Sequence, residues 1–265
     1  MTTAIDISKH EPASTRPYTM GELMVATAAR EIADHEVVFV GMRLPLIAFV
    51  VAKKTHAPHA VGLFENGVIR TTPAPELIYT MADPPNIQGA SQCLDMLGVM
   101  SLLQSGRVDL GFLGAAEVDR FGNLNSTEVR SANSATRLPG SGGACDIASL
   151  AHRFVVLLEH SKPRLPERVS YRTSPGNGDG PGWRNRVGLP RGGPSAVITT
   201  KAVLRFAEDG EAFLASIHPG IEVDDVLNNT GWNLRVTEEL AETPEPTAAE
   251  LRAIREYDKQ GFWTR

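Results

Sequence analysis

The stretch Val61-Gly62-Leu63-Phe64-Glu65-Asn66-Gly67 joins an apolar run to a tight turn, and a carboxylate stands at the junction. A short apolar run bounded by a turn signal is typical of a buried strand, and Asn-Gly is a common turn dipeptide. We therefore expect Glu65 to lie at the carboxyl end of a strand. Working outward from this stretch, the neighbouring segments decide which kind of sheet contains it.

The first half of the chain alternates predicted helices with predicted strands. In chain order they are a helix over Met20–Ala33, a strand over Glu36–Val40, a helix over Pro45–Lys54, a strand over Val61–Phe64, a helix over Ser91–Ser105 and a strand over Val108–Leu113. This alternation predicts an α/β fold with an open, doubly wound, mostly parallel sheet. Ligands bind beyond the carboxyl ends of the strands in such sheets, so Gly41, Glu65 and Gly114 are expected to line one crevice.

The second half is less regular. It predicts a loop over Arg120–Gly143, a helix over Asp146–His152, a strand over Phe154–Glu159, a long Gly/Pro-rich loop over Ser174–Pro194, strands over Ala196–Thr200, Ala202–Phe206 and Ala212–Ile217, and helices over Val223–Asn229 and Thr247–Tyr257. The three consecutive strands are expected to form a small antiparallel appendage. Thr247 and Glu250 have the spacing of a capping box. We predict a polar N-terminal segment over residues 1–17 and one domain over residues 18–265.

Composition excludes several classes of protein. The 265 residues carry a net charge of −5 without a block of basic residues, which argues against a nucleic-acid partner. The longest apolar stretch, Leu44–Ala52, is about half the length of a membrane span. Cys93 and Cys145 do not form a disulfide framework, and no Cys/His cluster has zinc spacing. We expect a cytoplasmic, reduced protein with no metal site and no membrane partner.

A second motif offers main-chain donors. Gly140-Ser141-Gly142-Gly143-Ala144 exposes backbone N–H groups and precedes the helix predicted from Asp146, whose N-terminal dipole favours negative charge. It is not a dinucleotide fingerprint, because Cys145 occupies the third glycine position of that motif. Taken alone, this segment is also compatible with a plain tight loop, and Glu65 with a solvated glutamate at a strand-to-turn junction.

The Glu65 motif and the Gly140–Ala144 motif belong to a longer series of segments that together carry a family resemblance. In order, these segments are Phe39-Val40-Gly41 with Leu44-Pro45-Leu46-Ile47 and Ala52-Lys53-Lys54, Phe64-Glu65-Asn66-Gly67, Gly114-Ala115-Ala116-Glu117-Val118-Asp119, Gly122-Asn123-Leu124-Asn125-Ser126-Thr127, Gly140–Ala144, Ser174-Pro175-Gly176, Asp179-Gly180-Pro181-Gly182, Gly188-Leu189-Pro190 and Asn229-Thr230-Gly231. Over residues 18 to 258 the chain thus resembles the class I CoA-transferase family, and within it the B (β) subunits of the glutaconate CoA-transferase type.

The resemblance implies a mechanism and its residues. Glu65 would be the nucleophile that forms a mixed anhydride and then a glutamyl-CoA thioester, with ping-pong kinetics. The Gly143 backbone N–H, with Ala144 as a weaker candidate, would form the oxyanion hole. The substrate-binding candidates are Gly41, Met42, Arg43, Asn66, Gly67, Gly114 and Ala115. The coenzyme A thioester is then the substrate, and no cofactor is expected. A separate α subunit of the same family is expected as partner, in an A2B2 or larger assembly.

Two positions depart from the family pattern. Phe64 replaces the serine that precedes the nucleophile, and Met42 with Arg43 replaces the Thr-Gly of the loop before Leu-Pro. The bulkier loop makes glutaconate itself a doubtful substrate. Arg43 has two open roles, pairing with a substrate carboxylate or with another protein carboxylate.

Two rival functions remain for the chain. One is an acyl-CoA hydrolase or decarboxylase on the same scaffold, and the other is a non-catalytic module that binds CoA esters. We expect His152, His160 and His218 to be structural, and we expect Asp119 and Asn123–Asn125 to hold a loop.

Overall fold

The computed structural model describes residues 17–131, 134–189 and 191–265. These residues form two compact units. The first unit contains residues 17–112 together with Pro244–Arg265, and the second contains Leu113–Thr243. Most of the predicted polar segment over residues 1–17 lies outside the described residues, as does Pro190 of the Gly188-Leu189-Pro190 motif. One domain over residues 18–265 stays a prediction.

The described residues contain eight helices and fourteen strands. In chain order they are α1 (Met20–Ala29), β1 (Val37–Phe39), α2 (Leu44–Lys54), β2 (Val61–Leu63), β3 (Val68–Arg70), α3 (Pro84–Ile87), β4 (Gln92–Cys93), α4 (Met96–Gln104), β5 (Leu110–Leu113), β6 (Glu117–Val118), β7 (Leu124–Asn125), β8 (Glu128–Ser131), β9 (Ser134–Arg137), α5 (Ala144–Leu150), β10 (Arg153–Leu158), α6 (Trp183–Arg186), β11 (Pro194–Thr199), β12 (Ala202–Phe206), β13 (Ala212–Ile217), α7 (Val223–Asn228), β14 (Arg235–Glu242) and α8 (Ala248–Tyr257).

The sheet of the first unit places its strands in the order β5-β1-β2-β3-β4. β1 is parallel to both β2 and β5, whereas β3 is antiparallel to both of its neighbours, β2 and β4. The carboxyl ends of the three parallel strands therefore share one edge of the sheet. That edge is where the fold class predicts a ligand site.

α1 and α8, the first and last helices of the described residues, each have a capping box at the N-terminus. The Thr19 side chain accepts the Glu22 N–H while the Glu22 side chain accepts the Thr19 N–H, and Thr247 with Glu250 repeats the arrangement. The capping box predicted for Thr247 and Glu250 is confirmed. In both helices the capping glutamate is buried, so its carboxylate also needs a cation.

Each buried glutamate receives an arginine from the other helix region. Arg30 donates from Nε and Nη2 to the Glu250 carboxylate at 2.9 and 2.7 Å, and Arg255 donates to Glu22 at 2.7 and 3.0 Å. The Arg30 guanidinium and the Thr247 cap keep the pKa of Glu250 below its usual value, although burial of the carboxyl opposes them. These crossed pairs fasten α8 to α1.

One prediction for the first unit is wrong at its start. The segment Ser91–Ser105 is not helical throughout, because Gln92–Cys93 pairs with β3 and the helix begins only at Met96. Asp95 explains the boundary, since its side chain accepts the Gly98 N–H at 2.7 Å as an N-cap. The other predicted helices and strands of this unit occur with ends shifted by up to four residues.

The sheet of the second unit has the order β10-β11-β12-β13-β14. β10 and β11 are parallel, and β11, β12 and β13 form the predicted antiparallel appendage. The α/β class with a mostly parallel sheet and this appendage is confirmed. The loop predicted over Arg120–Gly143 is partly wrong, because it contains β7 and the hairpin of β8 with β9. β14, which pairs in parallel with β13, was not predicted.

His160 lies buried where β10, β11 and α7 meet. Its Nδ1 is 2.9 Å from the Thr199 hydroxyl, and its Nε2 is 3.2 Å from both the Val226 carbonyl oxygen and the Thr230 hydroxyl. Burial lowers the pKa of His160 from 6.5 to about 4. The predicted structural role of His160 is confirmed by these contacts.

Within the described ranges, no helix combines the length and the apolarity needed to cross a bilayer. Both cysteines, Cys93 and Cys145, carry free thiols.

The buried imidazole makes the protein sensitive to acid. Between pH 6.5 and about 4 the unfolded state binds a proton at His160 that the folded state excludes, so the free energy of unfolding falls as the pH falls. We expect His160 to contribute about 3 kcal/mol of the stability lost between pH 7 and pH 4. Urea unfolding at several pH values measures this loss. His160→Gln should flatten the dependence, whereas the exposed control His56→Gln should retain it; equal slopes for wild type and His160→Gln would refute the assignment.

Candidate functional site

Glu65 lies in the turn that connects β2 to β3. The Gly67 N–H donates to the Phe64 carbonyl oxygen and the Phe64 N–H donates to the Val68 carbonyl oxygen, both at 2.9 Å, so the turn is closed on both sides. Phe64 is buried in the core, while Glu65 is half-buried. The carboxylate therefore stands at the carboxyl end of β2, as predicted.

Two contacts hold this turn from outside. The Asn66 amide donates to the Met81 carbonyl oxygen at 2.7 Å, and the Gly67 carbonyl oxygen accepts the Leu94 N–H at 2.9 Å. Gly67 has a φ of +104°, and a Cβ at this position would lie 2.0 Å from the Leu94 carbonyl oxygen. Only glycine fits there. The two residues that follow Glu65 are thus held by direct contacts with Met81 and Leu94, which position the backbone of the turn.

Arg70, at the end of β3, organises the loop that supplies Met81. Its guanidinium is fully buried and donates to the carbonyl oxygens of Thr72, Pro73 and Asn86 at 3.0, 3.0 and 2.6 Å. Burial lowers the pKa of Arg70. The carbonyl dipoles take the place of water around the charge, so the loop folds around this side chain.

Gly41, Met42 and Arg43 lie at the same sheet edge as Glu65. They follow β1, the parallel neighbour of β2, and the Val40 N–H donates to the Leu63 carbonyl oxygen at 2.8 Å. Arg43 precedes α2 with φ 68° and ψ −123°. A non-glycine residue in this region stores about 1–3 kcal/mol of strain, which is characteristic of functional sites. The structure therefore brings Gly41–Arg43 and Glu65–Gly67 together.

The Arg43 side chain stacks on an aromatic cluster formed by Tyr79, Phe262 and Trp263. Its guanidinium carbon lies 5.3 Å from the centre of the Trp263 ring. Phe262 meets Trp263 edge-to-face at 4.6 Å between ring centres and meets Tyr79 in the same way at 4.8 Å. Stacking orients the guanidinium and leaves its edge N–H groups available to a planar anion.

The remaining predicted residues belong to the second unit. Gly114 is exposed, with open space where a Cβ would stand, and Ala115 is half-buried. Gly143 is the N-cap of α5, after Gly140 and Gly142 with φ of +102° and +49°. The Ala144 N–H already donates to the Ser141 carbonyl oxygen at 2.9 Å, so Ala144 does not enter the proposal below as an oxyanion donor.

The segment predicted as a long loop over Ser174–Pro194 contains the short helix α6 and reaches the first residue of β11, and its described residues brace α5. From this loop the buried Arg184 donates to the Gly176 carbonyl oxygen at 2.9 Å and to the Ala148 carbonyl oxygen of α5 at 3.1 Å. Burial lowers the pKa of Arg184 to about 10, so it remains charged at neutral pH. The arginine of this loop thus ties it to the helix that Gly143 caps.

The Asp119 to Asn125 stretch holds the same loop from the other side. Asp119 Oδ1 accepts the N–H groups of Phe121 and Asn123 at 3.0 and 3.1 Å, and Asn123 Oδ1 accepts those of Gly176 and Gly178 at 3.0 and 3.2 Å. Burial raises the pKa of Asp119 despite these bonds. The predicted loop-holding role of Asp119 and Asn123 is confirmed.

Arg70 and Arg184 position the predicted site residues but were missed in the sequence. Each acts through main-chain carbonyl groups that surround it only after folding, and a single arginine between ordinary residues has no spacing signature. The aromatic cluster around Arg43 was missed for the same reason, since Tyr79 and Trp263 are 184 positions apart in the sequence.

The fold and site together define an α/β protein with a glutamate in a well-held turn at the carboxyl edge of parallel strands, and a comparison with known proteins makes the class specific. The sequence profile of the family described as Coenzyme A transferase matches residues 22–229. This chain belongs to the coenzyme A transferase family.

Two curated relatives support this membership along most of their length. The chain is 38% identical to the B subunit of 3-oxoadipate CoA-transferase from Pseudomonas knackmussii over 241 residues, covering 90% of this chain and 92% of the relative. It is 35% identical to the B subunit of glutaconate CoA-transferase from Acidaminococcus fermentans over 253 residues, with the same coverage.

Solved structures agree with the sequence comparison. The crystal structure of glutaconate coenzyme A-transferase from Acidaminococcus fermentans superposes with a TM-score of 0.87 at 32% identity, covering 94% of this chain and 98% of that chain. The decarboxylase AibA/AibB superposes with a TM-score of 0.79 at 28% identity, covering 92% of this chain and 97% of that chain. The predicted resemblance to B subunits of the glutaconate type is confirmed.

Proposed function

We propose that this chain is the B subunit of a two-subunit CoA-transferase that uses Glu65 as nucleophile. The observation that carries the proposal is the rigid placement of the Glu65 turn at the carboxyl edge of β1 and β2. A carboxylate is a weak nucleophile in water but an adequate one when it is held in place and partly desolvated. Membership of the coenzyme A transferase family supplies the substrate class, an acyl-CoA thioester.

The proposed reaction has two halves. A Glu65 oxygen attacks the thioester carbonyl carbon, the C–S bond breaks and CoA leaves as the thiolate. The thiolate then attacks the Glu65 carbonyl carbon of the mixed anhydride, the donor acid leaves as a carboxylate, and a glutamyl-CoA thioester remains. An acceptor carboxylate reverses both steps and regenerates Glu65. The Gly143 N–H is proposed to stabilise the oxyanions, together with the positive end of α5.

Replacing the nucleophile tests this proposal. Glu65→Gln in the assembled enzyme should lower CoA transfer by about 10³-fold or more, because the amide oxygen cannot form the anhydride. Hydroxylamine added after acyl-CoA should leave a hydroxamate on the Glu65 peptide, detected by mass spectrometry. Glu76→Gln, an exposed glutamate of the same unit, is the matched control and should keep full activity.

Two outcomes would contradict the transferase proposal. If the Glu65→Gln variant transferred CoA at nearly the wild-type rate, the reaction could not proceed through a covalent intermediate on Glu65. CoA release at an equal rate with and without an acceptor acid would identify a hydrolase instead, and release of CO₂ would identify a decarboxylase like AibA/AibB.

We further propose a dicarboxylic acyl group as substrate. Both curated relatives have names that refer to dicarboxylates, 3-oxoadipate and glutaconate. A dicarboxylic acyl-CoA keeps one free carboxylate, which needs a cation, and Arg43 stands at the shared strand edge with its guanidinium oriented by Trp263. Of its two open roles we thus assign Arg43 the substrate carboxylate.

Arg43→Gln should raise the KM for a dicarboxylic acyl-CoA by about 10- to 100-fold. This factor corresponds to the binding free energy that one charge-assisted hydrogen bond contributes. The kcat should change little, and a monocarboxylic acyl-CoA should show no change in KM. Steady-state kinetics with both substrates measures the difference, and Arg107→Gln, an exposed arginine at the opposite end of β5, is the control. An equal rise in KM for both acyl groups would contradict the assignment.

An α subunit is proposed to cover the apolar segment Leu94–Leu97. Leu94, Met96 and Leu97 are exposed, Leu97 to 76%, and the Leu94 N–H donates to the Gly67 carbonyl oxygen in the Glu65 turn. Apolar exposure of this kind marks a protein interface. Its continuity with the turn, and the similarity to proteins named as B subunits, argue that the occupant is the α chain and that substrate meets Glu65 beside it.

Leu97→Glu should prevent co-purification with the α subunit and reduce transferase activity in proportion, because a buried unpaired charge opposes assembly. The charge lies in the first turn of α4, where it favours the helix, so the chain itself should fold normally. Size-exclusion chromatography of the co-expressed pair measures assembly, with Val187→Glu, an exposed apolar position of the second unit, as control. Robust transfer by the purified single chain would refute the need for a partner.

A further inference from the structure

Two histidines and an aspartate form a surface cluster in the first unit. Asp34 Oδ2 lies 2.8 Å from His59 Nδ1 and 3.6 Å from His35 Nε2, and one ligand atom from each of the three residues lies within 4.8 Å of the other two. The two imidazole rings stack with 4.6 Å between their centres and 4° between their planes. We define these residues as the Asp34 cluster.

The backbone holds the cluster in this arrangement. The His59 N–H donates to Asp34 Oδ1 at 2.7 Å, which fixes the carboxylate and directs Oδ2 towards the two rings. His35 has a φ of 67°, the left-handed conformation that few residues other than glycine adopt. That conformation turns the His35 ring back over the ring of His59.

The Asp34 cluster lies away from the proposed catalytic edge. Asp34 and His35 precede β1, and His59 precedes β2. The cluster therefore stands at the amino-terminal ends of these parallel strands, whereas Gly41 and Glu65 stand at their carboxyl ends. It bridges two connections, the one from α1 to β1 and the one from α2 to β2.

We propose that the Asp34 cluster binds one zinc-class divalent ion, which cross-links these two connections. Two neutral imidazoles and one carboxylate are a ligand set that Zn²⁺ takes in proteins, with water completing four coordination. Tetrahedral Zn–N and Zn–O bonds of about 2.0–2.2 Å place ligand atoms about 3.3–3.6 Å apart. The present distances from Asp34 Oδ2, 2.8 and 3.6 Å, lie near this value, and the three ligand atoms are within 4.8 Å of one another. The two rings lie nearly parallel, so their nitrogen lone pairs converge on one ion only after the rings rotate out of the stack. The side chains of His35 and His59 are exposed to 76% and 63%, which leaves them space for this rotation.

The role of this ion is structural. It would bind the folded chain and not the unfolded one, since the two segments are separated by more than twenty residues, and so it would stabilise the fold by mass action. The ion takes no part in the transfer reaction at Glu65. The cluster escapes detection by spacing motifs because only the pairing of β1 with β2 brings Asp34 and His59 together.

Equilibrium dialysis of the tag-free full chain against Zn²⁺, with metal analysis, tests the site. Wild type should bind one Zn²⁺ per chain, and its Tm should rise by about 5 °C at a hundredfold excess of metal over Kd. His35→Ala and His59→Gln should each weaken binding at least about tenfold and abolish the Tm shift. His56→Ala removes an exposed histidine three positions from His59 and should bind as wild type does.

The possible results divide cleanly. Loss of the bound ion in both cluster variants, with retention in His56→Ala, supports the site. Failure of wild type to bind Zn²⁺, binding that survives His35→Ala or His59→Gln, or equal loss in His56→Ala would each overturn it. The exposure of all three histidine side chains keeps the variants folded, and unchanged far-UV circular dichroism verifies that.

Discussion

The close approach of Gly67 to Leu94 is the constraint on which the candidate site depends. A Cβ on residue 67 would lie 2.0 Å from the Leu94 carbonyl oxygen, so the β2–β3 turn packs against Leu94 closely enough to require glycine. Glu65 sits two residues before that contact, so the placement of its backbone follows from main-chain packing. Preorganisation of this kind removes the entropy that a mobile glutamate would lose on meeting a substrate. The buried Arg70 extends the same rigidity to the loop that touches Asn66.

Local patterns in the sequence predicted the elements that local forces determine. Helices with apolar spacing and caps, such as the capping box of Thr247 and Glu250, occur close to where they were expected, because their hydrogen bonds are made within a few residues. β1, β2 and β5 are continuous apolar runs and were also found. Among the elements that were missed, β3 and β4 are very short and β14 is largely polar, so none of them has a long apolar run. β3 pairs with the adjacent β2, whereas β4 and β14 pair with strands further away in the sequence. In the hairpin of β8 and β9, the strand β9 is exposed along its whole length, so it has no apolar face from which a periodicity could predict it.

The site divides in the same way. The ordered motifs pointed to Glu65, to the Gly41–Arg43 segment and to Gly143, and the structure places the first two at one strand edge. What the sequence did not contain was the support for these residues. Arg70 and Arg184 each donate hydrogen bonds to several buried carbonyl groups. In the sequence, neither residue can be distinguished from an arginine on the surface. Only folded geometry distinguishes a cation that solvates a loop from one that is solvated by water.

The hydrogen bond from Leu94 to Gly67 joins the Glu65 turn to a segment in which the side chains of Met96 and Leu97 are exposed to solvent. A protein that packs on Met96 and Leu97 would therefore also exclude water from the neighbourhood of the proposed acylated carboxylate. In the single chain these side chains are exposed to solvent, so an anhydride formed under the proposed mechanism would lie next to water. Under the proposed mechanism, assembly with the partner and protection of the acylated intermediate would therefore be a single event.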